Sequence, residues 1–233
     1  MKHPLDTDVL GEFLVSARSL AEYRAIFELT DADLQGRILD CPGGAASFTV
    51  EASALGARVT AADPIYSRSA QRLRELAVSE TDRGSDWAAA HRDRYRWDWY
   101  DGDPERHRAV RHAAAARFAD DLNEHPERYI AAELPSLPFR DNSFDLALSS
   151  HLLFTYADRL DAHFHLTALL ELSRVSSGEV RLYPLVDHIG RHHDVLVEQL
   201  RKELRHKGIH TSLRETEYEF HHGAHTMLVL HGD

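Results

Sequence analysis

The chain has 233 residues, 43% hydrophobic and 28% charged, and its 27 Lys and Arg against 38 Asp and Glu give a net charge of -11. That length suffices for one sizeable core, the composition excludes fibrous and disordered classes, and the excess of acid opposes the phosphate neutralisation on which general nucleic-acid binding relies. A single cysteine, Cys41, excludes an internal disulfide framework and a Cys-based zinc site.

The opening stretch MKHPLDTDVLGEF lacks an apolar signal core, and no later run approaches the roughly 18 apolar residues of a spanning helix, so a cytoplasmic protein without membrane contact is expected. Nothing divides residues 1–233 into independent halves, which predicts one domain. Over residues 5–35, Phe13, Leu14, Ala17, Leu20, Tyr23 and Phe27 recur at helical spacing, with Ser19 and Glu22 as a capping box. This predicts an N-terminal helical layer over residues 1–35. Arg37 to Asp40 then reads as a strand, Gly43-Gly44 as a turn, residues 46–55 as a helix closed by Gly56, and Arg58 to Ala62 as a second strand ending at Asp63-Pro64. Strand, helix, strand in so short a span is a βαβ unit with a parallel pair and a right-handed crossover.

Residues 67–79 resume helical spacing. Residues 82–127 shift in composition, gathering all three tryptophans with many Arg and His, and predict two helices inserted above the sheet. Strand three is expected over 129–133, strand four over Phe144 to Ser150, a helix over 158–174, a strand over 179–183, and a helix over 191–207 ended by Gly208. Two strand-like runs joined by His221 to Ala224 close the chain as a hairpin. These alternations define a three-layer α/β sandwich.

In an open parallel sheet, ligands sit beyond the carboxyl ends of the strands, and the first such crevice falls at Asp40-Cys41-Pro42-Gly43-Gly44. Asp63 ends strand two, placed to accept hydrogen bonds from both hydroxyls of a ribose, and Glu133 closes strand three, placed to receive a polar edge such as an adenine amino group. Three acids at successive strand ends thus point to one crevice. The dinucleotide fingerprint is missing, because Ala45, Ala46 and Ser47 follow Gly44; a nucleoside ligand without phosphates fits better.

The segments ILDCPGG, VTAADP, AAELPSLPFRDNSFDLALSSHLL and ELSRVSSGEVRLYPLVD resemble the successive motifs of class I S-adenosylmethionine-dependent methyltransferases over residues 35–233. The resemblance implies a Rossmann-like, seven-stranded, mostly parallel sheet with an antiparallel C-terminal hairpin. It further implies that Asp40, Cys41, Pro42, Gly43 and Gly44 face the methionine end of S-adenosylmethionine, Asp63 with Pro64 its ribose, and Glu133 with Leu134 its adenine, while Ser149, Ser150 and His151 line the cleft after strand four. The first motif departs from the family's more glycine-rich D-x-G-x-G run, and Pro42 removes an amide donor there. The implied activity is methyl transfer to an oxygen or nitrogen of a small-molecule acceptor; the alternative is a non-catalytic cofactor-binding sensor or scaffold of the same fold. A dehydrogenase-like protein is a third reading, and it would lack the closing hairpin.

His151 and Tyr156 are the candidate proton acceptors, set against strand-capping and packing roles. Tyr23 either covers the cofactor through its aromatic face or sits in the core as an ordinary tyrosine. Cys41 reads as a small buried side chain. In the insertion, Trp87, Trp97, Trp99 and Tyr100 with Arg92, Arg94 and Arg96 either form an aromatic, basic lid over an acidic or planar substrate or pin the insertion to the domain. Adjacent histidine pairs do not share an ion, so no metal is expected; His188 and His192 alone have a spacing that shares a face on a helix.

Overall fold

The structure, a computed structural model, describes residues 12–232. Seven strands form one sheet in the order β3-β2-β1-β4-β5-β7-β6. β1 (Arg37–Asp40), β2 (Arg58–Ala62), β3 (Tyr129–Ile130), β4 (Phe144–Ser150) and β5 (Ser176–Tyr183) pair in parallel, while β7 (Thr226–His231) runs antiparallel to both β5 and β6 (His210–Glu215). The expected sheet and closing hairpin are both present.

Period-two alternation in the strands creates two buried faces. Ile38, Val59, Leu146, Leu148, Met227 and Val229 pack on one side with α1 (Leu20–Phe27) and α2 (Phe48–Ala54). On the other, Leu39, Ala147, Val180, Leu182 and Leu228 pack with α5 (Ala162–Val175) and α6 (Asp194–His206). Near the β2-β3 edge, α3 (Ala70–Ala90) and α4 (Pro104–Glu124) complete the first layer through Leu73, Ala77, Ala114, Ala115 and Phe118. Side-chain caps start the helices: Asp103 precedes Pro104 and accepts from the Glu105 amide, and Asp161 accepts from the Phe164 amide at 2.7 Å.

Three expectations are corrected. The helix expected over 5–35 is confined, among the described residues, to Leu20–Phe27 and a short 3-10 turn at Asp33–Gln35; the capping box is present, but Ser19 as N-cap has extended backbone, so nothing before it can continue the helix. Residues 14–18 form no regular secondary structure instead. The helix expected over 67–79 and the first insertion helix are one element, Ala70–Ala90, so the stretch 82–127 is no separate appendage. It belongs to the crossover between β2 and β3. Finally, His188 and His192 lie in a loop, because α6 begins at Asp194, and no cluster of three metal-ligating residues occurs among the described residues.

A buried ion pair ties these parts together. Arg111 on α4 contacts Glu22 Oε1 on α1 at 2.7 Å, with both side chains shielded from water. Glu22 also accepts from Tyr100 Oη at 2.7 Å and from the Ser19 amide at 2.9 Å, and Arg111 donates to the Ala17 carbonyl at 2.7 Å and to His107 Nε2 at 3.2 Å. Burial pushes the Glu22 carboxyl up, but the charges of Arg111 and Arg18 outweigh it and hold the group below the usual range. Removing one partner strands a buried charge, so Arg111→Met is expected to lower stability by about 3–5 kcal/mol in urea unfolding. The double variant Glu22→Met/Arg111→Met is expected to lose clearly less than the single one.

Candidate active site

β1 and β2 are neighbours, and their carboxyl ends bring Asp40 and Asp63 together. Asp40 is fully buried, and Tyr23 Oη donates to both its oxygens at 3.0 Å. Burial raises the Asp40 carboxyl well above its ordinary range; the Tyr23 bond works against this and the Asp63 charge adds to it. No basic side chain pairs with it among the described residues. Asp63 holds two loops in place: its Oδ2 accepts from the Gly44 amide and its Oδ1 from the Ile65 amide, both at 3.0 Å.

The Asp40 to Gly44 loop is packed against the chain itself. Gly44 has φ +55, and a Cβ there would meet the Ser16 carbonyl at 2.9 Å; at Gly43 it would meet Tyr66 Oη at 2.5 Å. Tyr66 donates to the Gly44 carbonyl at 2.8 Å. Residues 14–18 lie over the loop, with the Ser16 carbonyl accepting from the Ala45 amide at 3.0 Å and the Arg18 carbonyl from the Ser47 amide at 2.9 Å. Glycine is therefore required by close approach of protein to protein.

The remaining candidates divide. Tyr23 stacks on Phe48 at 4.4 Å as part of the core, and Cys41 is buried in the opposite core face. Pro42 is half-buried and Pro64 exposed. Glu133 is exposed in a turn beyond the two-residue β3, apart from the buried Asp40 and Asp63 pair, while Leu134 is buried in the core. Ser149 Oγ is buried without a hydrogen-bond partner among the described residues.

Beyond β4 and β5 lies a cavity of about 110 Å³ lined by residues 14–18 in part, the middle of α3, His107, Arg111, His151, Tyr156 and the loops around His188 and Phe220. His151 stands at its wall with φ 55, a left-handed backbone that few non-glycine residues adopt. Burial, then the charges of Arg18 and Arg111, hold its imidazole well below the ordinary value. Tyr156 also lines the cavity, but its Oη accepts the Leu14 amide at 2.7 Å and its ring packs edge-on to Phe13 at 4.7 Å. That role fastens residues 13–14 in place.

Of the aromatic, basic lid, only Trp87 reaches the cavity. Trp97 is buried between His107 and Phe220, Tyr100 joins the Glu22 network, and Trp99 is 41% exposed. Arg92 covers Trp97 at 5.6 Å and Arg96 pairs with Glu219 at 2.7 Å. The positive charge at the cavity comes instead from Arg18 and Arg111, which the sequence reading passed over. A signal existed for one of them: His107, Arg111, Ala114, Ala115 and Phe118 fall on one helical face, the buried one.

The family model described as a methyltransferase domain matches residues 99–178, from the end of the aromatic stretch through β3, β4, α5 and the start of β5. Over this stretch the chain is similar to methyltransferase domains. Its strand order and reversed β7 give the chain a Rossmann-like architecture. An uncharacterised protein of Methanocaldococcus jannaschii is 26% identical over 226 residues, 97% of this chain and 96% of its own length. Among solved structures, a Pyrococcus horikoshii protein covers 91% of this chain and 92% of itself at 15% identity and a TM-score of 0.47. A Methanosarcina mazei S-adenosylmethionine-dependent methyltransferase covers 84% and 92% at 15% identity and 0.45. A Burkholderia thailandensis N1-methyltransferase, solved with 1,6-didemethyltoxoflavin and S-adenosylhomocysteine, covers 87% and 76% at 14% identity and 0.44.

His107 gives the fold a pH signature. Burial, then Arg111, Arg18 and Arg108, depress its imidazole to about 2, while the unfolded chain protonates it near 6.5. A group with a depressed folded pKa stabilises above the unfolded value and ceases to do so as pH falls. The parent is therefore expected to lose up to about 1.4 kcal/mol more stability per pH unit below 6.5 than His107→Gln does, measured as the difference in urea midpoints across pH 6.5 to 4.5.

Proposed function

We propose that this protein transfers the methyl group of S-adenosylmethionine to an oxygen or nitrogen of a small-molecule acceptor. The observation that carries the reading is the pair of buried acids at adjacent strand ends, Asp40 and Asp63, within a chain that matches a methyltransferase domain. The chemistry of this donor set fits the cofactor: a buried carboxyl with no cationic partner suits a ligand that carries an ammonium and a sulfonium, and a second acid at the end of β2 suits vicinal hydroxyls. Asp40 to Gly44 would hold the methionine end, Asp63 the ribose, and Glu133 with Leu134 the adenine. When bound, the cofactor supplies an activated methyl group, so the protein's contribution is alignment and proton removal.

His151 is the residue that takes the acceptor's proton. It is neutral at physiological pH, its Nδ1 is engaged with Ser150 Oγ at 3.3 Å, and Nε2 remains to accept. Tyr156 is the weaker candidate, because burial holds its phenol protonated and its oxygen is committed to Leu14. Ser149 and Ser150 end β4, directly before His151. Isothermal titration with S-adenosylmethionine is expected to show micromolar binding that weakens at least tenfold in Asp63→Ala, with unfolding curves confirming a folded variant. Equal affinity in the two proteins overturns the ribose assignment.

A further inference from the structure

The cavity beside His151 collects polar groups that the rest of the protein leaves unused. Among the described residues, Arg18 Nε, Thr81 Oγ1, Ser85 Oγ, His107 Nδ1 and Thr155 Oγ1 are buried without a hydrogen-bond partner, and all five residues line this cavity. Buried polar groups are normally satisfied, and an unsatisfied one costs roughly 1–3 kcal/mol. Five around one space mark a binding site.

The charge inventory of its walls gives the sign of the ligand. Two acids line the cavity and both are committed: Glu80 pairs with Arg83 at 2.6 Å and accepts the Val15 amide at 3.1 Å, and Asp187 accepts the Ile189 and Arg191 amides at 3.0 and 2.9 Å and lies 3.3 Å from His193 Nε2. Arg111 is matched by Glu22. Arg18 has no carboxylate of its own, because Glu22, which also feels its charge, is in ion-pair contact with Arg111. Arg18 is 7% exposed, pairs with no carboxylate among the described residues, and its one side-chain hydrogen bond there goes to Ser16 Oγ at 2.8 Å. His107 adds a donor, because its Nε2 accepts from Arg111 Nε at 3.2 Å and the neutral ring must then carry its hydrogen on Nδ1.

The walls also fix shape. Trp87, Tyr95, Tyr156 and Phe220 line the space, and its volume of about 110 Å³ is on the scale of the roughly 150 Å³ cavity that takes a single benzene ring. From these observations we infer that the cavity is the acceptor site and that the acceptor is a small, ring-bearing anion, a carboxylate or a phosphoryl ester, whose charged group is bound by Arg18 and whose polar substituents meet Thr81, Ser85 and Thr155. The assignment of this ligand as the methyl acceptor rests on the methyltransferase reading; its charge and size do not. A carboxylate beside Arg18 completes a bidentate pair that lysine cannot reproduce.

Calorimetric titration of the full chain with benzoate, phenyl phosphate and the neutral benzamide tests it, with S-adenosylmethionine titrated in parallel. We expect an anion to bind at least tenfold more tightly than benzamide, with benzoate or phenyl phosphate as the better ligand identifying the group. Arg18→Gln should erase that preference while leaving benzamide and S-adenosylmethionine affinities within about twofold, and Arg18→Lys should restore part of it. Ser85→Trp, which fills the space, should abolish binding of all three probes. Equal affinity for benzoate, phenyl phosphate and benzamide overturns the inference, and so does an Arg18→Gln protein that keeps the anion preference or loses S-adenosylmethionine affinity tenfold. Anion preference in a chain that binds no S-adenosylmethionine sustains the anion site and overturns the methyltransferase reading alone.

Discussion

The buried contact between Glu22 and Arg111 is the constraint around which the upper half of the molecule is arranged. Two opposite charges withdrawn from water are tolerable only with close geometry and additional hydrogen bonds, and the chain supplies these from three segments: residues 17–19, through the Ala17 carbonyl and the Ser19 cap, Tyr100, and Tyr218. Satisfying the pair thus fixes α1 against α4 and draws the loop before β7 onto both. Residues 14–18 inherit their path from this arrangement, since they must reach Ser19 while lending the Ala17 carbonyl to Arg111. Their remaining carbonyls then fall on the amides of the glycine loop.

This explains why a loop with only two glycines is compatible with the fold. Gly43 and Gly44 are retained where Tyr66 and Ser16 approach, and the amides of this loop are satisfied internally. The two acids behind the loop are held in an environment that disfavours their charge, which is the electrostatic condition in which a cationic guest gains most. In the cavity the sign is reversed, with Arg18 and Arg111 in its wall and the imidazoles of His107 and His151 kept neutral by burial and positive charge. The acidic strand ends and this cavity both border β4, since Asp40 pairs with Leu148 and His151 follows Ser150.

Legibility from sequence followed locality. β1, β2 and β4 were readable because short apolar runs between turn residues can be little else, and the closing hairpin because its two runs are joined by a glycine-bearing turn. β3 was expected to be longer: at the sheet edge it pairs only with β2, and Ala131 to Glu133 leave the ladder. The N-terminal segment misled because Phe13, Leu14 and Ala17 have helical spacing by composition, whereas their conformation is set by partners in another part of the chain. Asp40 and Asp63 were found because strand ends are predictable in an open sheet. Arg18 was not, because its burial arises only when an irregular segment folds back over a loop nearly thirty residues away.

The segment shared by the glycine loop and the cavity has a further bearing on how such a protein diversifies. Residues 14–18 meet the loop through backbone carbonyls, so a change in their path disturbs loop and cavity at once. Thr81 and Ser85, by contrast, face the cavity from the middle of α3 and take no part in the hydrogen bonds that anchor the loop. Selection for a new acceptor therefore has an independent dial in that helix, and divergence among descendants of this scaffold should accumulate on its inner face while the strand-end carboxylates stay fixed.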